Sequence, residues 1–191
     1  MTPCPAGRAA LSVIGTTAAL GAATLAYSLI EARCPVLRRI DVPVLAADEE
    51  PLTVLHLADL HLTGHTEARV AWVRRLAQLQ PDVVVNTGDN LAGFDAVPPT
   101  LAALGPLMER PGAFVLASND YYAPRPKNPL KYFFPGHKRV HGEELPWQDL
   151  RDGMLDRGWL DLTNAAGELE VAGRRIVLAG TALIALASGV V

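Results

Sequence analysis

The sequence predicts an α/β domain with a parallel sheet, preceded by an N-terminal transmembrane helix. Two observations lead to this prediction. Between residues 52 and 117, three short apolar runs alternate with two segments of helical periodicity. Ahead of them, residues 9–30 contain no charged side chain. We therefore expect a membrane anchor at residues 1–31, a tether at 32–51 and a folded domain at 52–191.

Composition and charge limit the class of protein. The chain has 191 residues, of which 50% are hydrophobic and 19% are charged, as in ordinary globular proteins. Its net charge of -3 argues against sequence-independent binding of nucleic acids, which requires a basic surface. Cys4 and Cys34 are too few for a disulfide framework or a cysteine-rich zinc site.

The uncharged run at residues 9–30 is the first predicted element. A helix of about 22 residues is about 33 Å long, which is enough to cross the hydrocarbon core of a bilayer. A cleaved secretory signal and an apolar core helix are the alternatives, since the run is rich in Ala, Gly and Thr. We favour an anchor because the run continues through Tyr27 and Ile30 into Glu31 without a small-residue cleavage site.

More arginines follow the run than precede it, which favours a cytoplasmic domain (Arg33, Arg38 and Arg39 against Arg8).

The tether and the first strand and helix come next. The tether contains prolines and an acidic cluster, with one strand-like run at residues 40–45. The domain begins with residues 52–57, an apolar and partly β-branched run that is typical of a buried strand. Residues 67–80 have apolar side chains at helical spacing until Pro81, so we expect an amphipathic helix whose arginines face solvent.

The same alternation continues along the chain. Residues 82–86 and 113–117 are further apolar strands, and residues 99–109 form a second helix between them. Strands that are joined by short helical connections form right-handed βαβ units. We therefore expect a parallel sheet that is covered on both faces.

Three elements are predicted after the third strand. Residues 121–144 are rich in Pro, Lys, Arg and aromatic side chains, which predicts a long loop at the strand ends. Residues 147–157 predict a helix, and residues 168–179 predict a hairpin that turns at Gly173.

Side chains that can bind metal follow each of the three strands. Asp59 and His61 follow the first strand, Asp89 follows the second and Asn119 follows the third. Because the carboxyl ends of parallel strands share one edge of a sheet, we expect these four side chains to converge. Each motif alone is commonly a turn or a helix cap, but their joint occurrence at successive strand ends favours a metal site. Carboxylate, imidazole and amide ligands suit Mn, Fe or Zn.

These motifs resemble those of the calcineurin-like metallophosphoesterase family. The family has Asp-x-His, then Gly-Asp, then Gly-Asn-His or Gly-Asn-Asp; the matching segments are Asp59-Leu60-His61, Gly88-Asp89-Asn90 and Ser118-Asn119-Asp120. The resemblance covers residues 52–180 and looks especially like the membrane-anchored bacterial branch, with residues 118–129 similar to its actinobacterial members.

The resemblance implies a fold, an activity and a cofactor. The fold is an α/β metallophosphoesterase sandwich, and the activity is hydrolysis of phosphate monoesters or diesters with two divalent ions, Mn, Fe or Zn. By the same resemblance, Asp59 and His61 bind the first ion, Asp89 bridges both ions, and Asn119 binds the second. The implied substrate is a phosphorylated small molecule or lipid.

The sequence departs from the family pattern in two places. Position 120 is Asp where many members have a His that assists the leaving group, so Asp120 is the candidate catalytic residue if it is protonated or acts by positioning. No histidine follows His141, and an apolar segment at residues 181–191 stands where the later His motifs are expected. We therefore expect an incomplete sandwich with part of the ligand set, from a truncated or frameshifted chain.

Other functions stay open at this point. One is an inactive remnant that binds metal without turnover, and another is an interaction module that uses the loop at residues 121–144. Six side chains of this loop are candidates for holding an anionic substrate, although solvated surface charge is the commoner role: Arg125, Lys127, Lys131, His137, Lys138 and Arg139. His56 is expected to be a buried strand residue and His65 a loop residue, rather than ligands.

Overall fold

The computed structural model describes residues 5–31, 34–125 and 141–182, with side chains from residue 15 onward. The chain divides into two compact units, Met1–Pro43 and Val44–Val191. The first unit contains helix α1 (Pro5–Glu31), and the second contains all the strands of the described residues.

Helix α1 forms where the sequence predicted a membrane anchor. Its described side chains, at residues 15–31, are exposed. Among the helices of the described residues, none combines the length and the apolar character that crossing a membrane requires. The predicted transmembrane helix is therefore not supported, because the Ala, Gly and Thr residues that make up much of α1 are only weakly apolar.

The strand predicted in the tether does not form. Residues 40–45 have no regular secondary structure, and Ile40, Val42 and Val44 are exposed. The prediction was wrong because an alternating pattern supplies no partner for the N–H and C=O groups of a strand.

A four-stranded parallel sheet is the centre of the second unit. Its strands lie side by side in chain order: β1 (Val54–Leu57), β2 (Val83–Asn86), β3 (Gly112–Phe114) and β4 (Leu160–Asp161). The first three strands confirm the predicted βαβ order, although each is shorter than its apolar run. The last strand, β4, was not predicted, since two residues are too few to show a period.

The helices lie between and after the strands. The α-helical parts of the predicted helices are shorter than expected. Helix α2 (Glu67–Arg75) continues into a 3₁₀ turn at Leu76–Leu79, and helix α3 (Val97–Leu104) is followed by a 3₁₀ turn at Leu107–Glu109. A single-turn helix, α4 (Ser118–Tyr121), follows β3, and α5 (Trp147–Leu155) precedes β4. Asn119 and Asp120 belong to α4, so this turn sets their direction.

The helices and one face of the sheet share a single core. Leu55 and Leu57 of β1 are buried in it together with residues of α2, α3 and α5, including Val73, Leu104 and Leu150. The alternate residues of β1 are not covered: Val54 is 53% exposed and His56 is also exposed. The predicted burial of both sheet faces is therefore wrong at β1, and so is the predicted burial of His56.

The hairpin predicted near the end of the domain is confirmed. Strands β5 (Ala165–Val171) and β6 (Arg174–Gly180) are antiparallel and pair along their whole length. Ala172 and Gly173 join them with φ values of 51° and 74°, which is the left-handed pair that a type I′ turn requires. Residues of β2, β3 and β6 line a mostly apolar cavity of about 340 Å³.

Candidate metal centre

The candidate metal ligands lie in loops that leave the same edge of the sheet. Asp59 and His61 follow β1, and Asp89 follows β2, which pairs directly with β1. One ligand atom from each of these three side chains lies within 4.8 Å of the others. The convergence expected from the sequence is thus present for these three residues.

Backbone hydrogen bonds hold the first two ligand loops together beyond the strands. The N–H of Asp59 donates to the carbonyl oxygen of Gly88 at 3.0 Å, and the N–H of His61 donates to that of Asp89 at 3.0 Å. One residue further, Leu62 N–H donates to the carbonyl oxygen of Asn90 at 2.8 Å. The relative position of the ligands is therefore fixed by the backbone and does not depend on side-chain contacts alone.

All three ligands have a left-handed backbone. The φ values are 54° for Asp59, 42° for His61 and 56° for Asp89. This conformation costs a residue other than glycine about 1–2 kcal/mol, so the surrounding structure has to impose it. Such residues concentrate at functional sites, and their joint occurrence at the three ligands favours a functional site over three unrelated turns.

Gly88 allows the close approach of the second and third loops. Its φ is 87°, and a Cβ atom there would lie 2.7 Å from the Cβ of Ala117 and 2.9 Å from the carbonyl oxygen of Val115. A side chain at position 88 would therefore push the loop that carries Asp89 away from the loop after β3.

The three side chains fit a divalent cation. Ligands bound to one ion at about 2.0–2.2 Å lie at most about 4.4 Å from each other, so a small inward rotation closes the observed cluster around an ion. The Nε2 atom of His61 lies 3.8 Å from Oδ1 of Asp59, and these side chains are 39% and 69% exposed. The site is thus open to solvent on the side of the first loop.

Asn119 lies against Asp89 from the third loop. Its backbone N–H donates to Oδ1 of Asp89 at 2.8 Å, and its side-chain Nδ2 donates to Oδ2 of Asp89 at 3.0 Å. With the amide in this orientation, Asn119 presents a donor to Asp89, and a half-turn of the amide would present its oxygen instead. The structure therefore brings Asn119 to the site, in contact with one of the three ligands.

Asp120 is buried between the loops that follow β2 and β3. It is fully buried, and its two carboxylate oxygens accept hydrogen bonds from four backbone N–H groups, those of Asp89, Asn90, Leu91 and Ala117. Burial raises the pKa of Asp120 above the usual carboxyl value, although the hydrogen bonds from the backbone oppose this shift. A carboxylate with both oxygens turned into the protein does not reach a substrate, so the predicted catalytic role of Asp120 is not supported by this geometry.

Two supports of the ligand loops were missed by the sequence reasoning. Nη1 of Arg69 donates to the carbonyl oxygens of Leu60 at 3.0 Å and His61 at 3.3 Å, whereas the sequence suggested that Arg69 faces solvent. The buried amides of Asn86 and Asn90 also bind each other, at 2.8 and 3.2 Å. The sequence did contain one signal for the second support, because Asn86 places an amide at the last position of an apolar strand.

Three of the other histidines and one basic residue of the predicted loop lie within the described residues and outside the three-residue cluster. The Nε2 atom of His56 lies 2.8 Å from Oγ1 of Thr87 on the exposed side of β1, and His65 is exposed in the first loop. Arg125 donates to the carbonyl oxygen of His141 at 3.4 Å, and the His141 ring lies 4.5 Å from that of Tyr122. The other candidates for holding a substrate lie outside the described residues: Lys127, Lys131, His137, Lys138 and Arg139.

The fold and the site together define an α/β domain with a candidate metal centre at the carboxyl edge of its parallel sheet. Residues 52–179 match the model of the calcineurin-like phosphoesterase family, and the chain belongs to this family. Membership indicates hydrolase activity on phosphate esters that uses divalent metal ions. No curated protein is significantly similar to the chain.

Proposed function

We propose that this chain hydrolyses phosphate esters with the help of divalent cations bound by Asp59, His61 and Asp89. The observation that supports this function best is the convergence of these ligand atoms within 4.8 Å, inside the region that matches the family. The proposed substrate is a phosphomonoester or phosphodiester of a small molecule or lipid.

The residues present suit a hard or borderline cation. Asp59 and Asp89 supply carboxylate oxygens and His61 supplies an imidazole nitrogen, which suits Mn, Fe or Zn. When bound, such ions lower the pKa of a coordinated water and polarise the phosphoryl group. The exposure of Asp59 leaves a route from solvent by which an anionic ester can reach the site.

Asp89 has the central position in the proposed ligand set. Its carboxylate lies close to Asp59 and His61 and also accepts hydrogen bonds from Asn119. We propose that Asp89 bridges two ions, with Asn119 turning its amide oxygen towards the second. The turn of the amide exchanges a hydrogen bond to Asp89 for a metal ligand, so it is favoured only when a cation is present.

The direct test is hydrolysis of an aryl phosphate monoester and an aryl phosphodiester in the presence of Mn²⁺. We expect activity in the wild type, none in Asp89→Ala, and full activity in Asp156→Ala, which removes an exposed carboxylate at the end of α5. A flat baseline in the wild type with either ester would contradict the proposal.

A single-ion domain without turnover is the second candidate function. It is favoured by one observation: among the described residues, Asp59, His61 and Asp89 form the one group of three His, Cys, Asp or Glu side chains that can hold a metal. Titration with Mn²⁺, followed by electron paramagnetic resonance, separates the two candidates. Two bound ions with turnover support the hydrolase, and one bound ion with no turnover supports the binding domain.

A further inference from the structure

The carboxylate of Asp120 joins the loops that follow β2 and β3. Oδ1 accepts the N–H of Asn90 at 2.7 Å and that of Leu91 at 3.3 Å. Oδ2 accepts the N–H of Asp89 at 2.9 Å and that of Ala117 at 2.9 Å. Three of these donors belong to the loop that carries the metal ligand Asp89, and the fourth begins the turn that contains Asp120 itself.

The relationship between the two loops is reciprocal. While Asp120 accepts from the backbone of the Asp89 loop, the carboxylate of Asp89 accepts from the backbone and the side chain of Asn119. Each loop thus supplies one carboxylate to the other. A displacement of the Asp120 carboxylate would release donors on both loops, and a displacement of the Asp89 carboxylate would release both donors of Asn119.

Because Asp120 is buried, its hydrogen bonds favour one conformation of the loop that carries Asp89. A buried carboxylate is tolerated only when its oxygens are fully hydrogen-bonded. The three consecutive N–H groups from Asp89 to Leu91 can converge on one carboxylate only if the loop curls around it. The left-handed φ of 56° at Asp89 is part of this curl. The hydrogen bonds to Asp120 therefore offset the cost of the left-handed conformation at Asp89.

We infer that Asp120 is a positioning residue, which fixes the backbone of Asp89 so that the Asp89 side chain faces the other metal ligands. It does so without touching the metal or the substrate. This inference rests on the proposed function for the role of Asp89 as a ligand. The sequence suggested that Asp120 assists the leaving group, either as a protonated carboxyl or by positioning; the inferred task is instead to hold the Asp89 loop.

The test compares Asp120→Asn with a matched change elsewhere in the full chain. Asn keeps the shape of the side chain, but one of its two terminal atoms becomes a donor that faces two N–H groups. We expect the affinity for Mn²⁺ to fall about 10- to 100-fold, as for other residues that orient metal ligands. The control is Asp161→Asn, which removes a part-buried carboxylate on β4 bound by Arg151; its affinity for Mn²⁺ should equal that of the wild type.

Two readouts separate positioning from a general loss of stability. In the metal-free protein, amide hydrogen exchange at Asp89, Asn90 and Leu91 should accelerate in Asp120→Asn while the amides of β2 stay protected. At saturating Co²⁺, the visible absorption spectrum of the variant should differ from that of the wild type. A lower melting temperature with unchanged affinity for Mn²⁺ and an unchanged Co²⁺ spectrum would overturn the inference.

Asp120→Glu keeps the test decisive if the Asn variant does not fold. Glu retains the charge but moves the acceptor oxygens by one methylene, so we expect a smaller loss of Mn²⁺ affinity than in a folded Asn variant. Wild-type affinity in the Glu variant would overturn the inference. If the wild type itself binds no Mn²⁺, the proposed function fails, and the exchange rates of the metal-free protein show separately whether Asp120 orders the loop.

Discussion

The side-chain amide of Asn119 donates to Oδ2 of Asp89 at 3.0 Å, and the backbone N–H of Asn119 donates to Oδ1 at 2.8 Å. The two residues follow different strands, so this pair connects the ends of β2 and β3. Both carboxylate oxygens of Asp89 accept a hydrogen bond in this pair. Without these bonds, the Asp89 carboxylate would lie near Asp59 and His61 with no donor to offset its charge. The pair therefore stabilises the metal-free arrangement and has to rearrange if Asn119 becomes a ligand.

Replacing Asn119 with Asp should make the domain depend more strongly on metal. The new carboxylate would face Asp89 at the distance now bridged by a hydrogen bond, which contributes about 1.5–3 kcal/mol when its acceptor is charged. Repulsion between two carboxylates adds to this loss, and a bound cation removes it. We expect a lower melting temperature than the wild type in chelator and a larger rise on addition of Mn²⁺.

Asn164→Asp is the control for the change at position 119. Oδ1 of Asn164 accepts the N–H of Ala182 at 3.0 Å, and Asp preserves this acceptor away from the site. Its melting temperature should respond to Mn²⁺ as the wild type does. Equal responses of Asn119→Asp and Asn164→Asp to Mn²⁺ would contradict the placement of Asn119 at the metal centre.

Gly88→Ala should destabilise the domain by about 3 kcal/mol or more, because it combines an unfavourable φ with steric overlap. A Cβ at position 88 would lie 2.7 Å from the Cβ of Ala117, where the real contact distance is much longer. Gly158→Ala isolates the first effect, since Gly158 has a similar φ of 83° but open space around its Cβ position. It should lose about 1 kcal/mol. Urea unfolding of both variants measures the difference, and similar losses would show that the close approach at Gly88 is not rigid.

The ion pair between Arg151 and Asp161 predicts a pH dependence of stability. Burial acts to raise the pKa of Asp161, but hydrogen bonds from Thr163 and Arg151 outweigh it and lower the pKa below the usual carboxyl value. The Arg151 Nε atom lies 2.6 Å from Oδ2 of Asp161, whose side chain is 16% exposed. A carboxyl group with a lowered folded-state pKa stabilises the protein above its unfolded pKa of about 3.9, and this contribution is lost as the pH falls through the folded pKa.

Asp161→Asn should therefore lose stability near neutral pH and lose less, relative to the wild type, as the pH falls below about 4. Chemical unfolding at a series of pH values gives the difference in the free energy of unfolding between the two proteins. Asp156→Asn changes an exposed carboxylate at the end of α5 and should show a small difference at all pH values. A difference for Asp161→Asn that does not change with pH would exclude the ion pair as its cause.

The candidate ligands could be found from the sequence because their positions follow from strand ends. An apolar run that stops at a polar residue marks the end of a strand, and parallel strands bring such ends to one edge. This reasoning places Asp59, His61 and Asp89 correctly in relation to β1 and β2. The direction of Asp120 could not be obtained in this way, since it depends on the curl of a loop 30 residues earlier in the chain.

The fold, like the candidate site, could be predicted in part from the sequence. Hydrophobic patterns identified three strands, the helices α2, α3 and α5, and the β5–β6 hairpin, but not the single-turn helix α4. They missed β4, which has two residues, and they predicted a strand at residues 40–45 that has no partner. The exposure of Val54 and His56 was also missed, since the coverage of a sheet face depends on which elements pack against it and not on the strand itself.

Arg69 should affect metal binding through the first ligand loop, although it lies on α2. Its Nη1 atom bridges two consecutive carbonyl oxygens, those of Leu60 and His61, and so opposes the tendency of the left-handed His61 to relax. We expect Arg69→Met to weaken Mn²⁺ binding about 10-fold, near the lower end of the range for residues that orient ligands. Isothermal titration with Mn²⁺ measures the change.

Arg75→Met is the matched control, because Arg75 is an exposed arginine in the last turn of the same helix. Arg69→Lys adds a second comparison: Lys keeps the charge but lacks the planar guanidinium, so it should fall between Arg69→Met and the wild type. If a positive charge at position 69 were sufficient, Arg69→Lys would bind Mn²⁺ as tightly as the wild type does. If Arg69 had no influence on the loop, Arg69→Met and Arg75→Met would have the same affinity for Mn²⁺. An intermediate Lys variant is expected only if the two carbonyl contacts hold His61 in its ligand conformation.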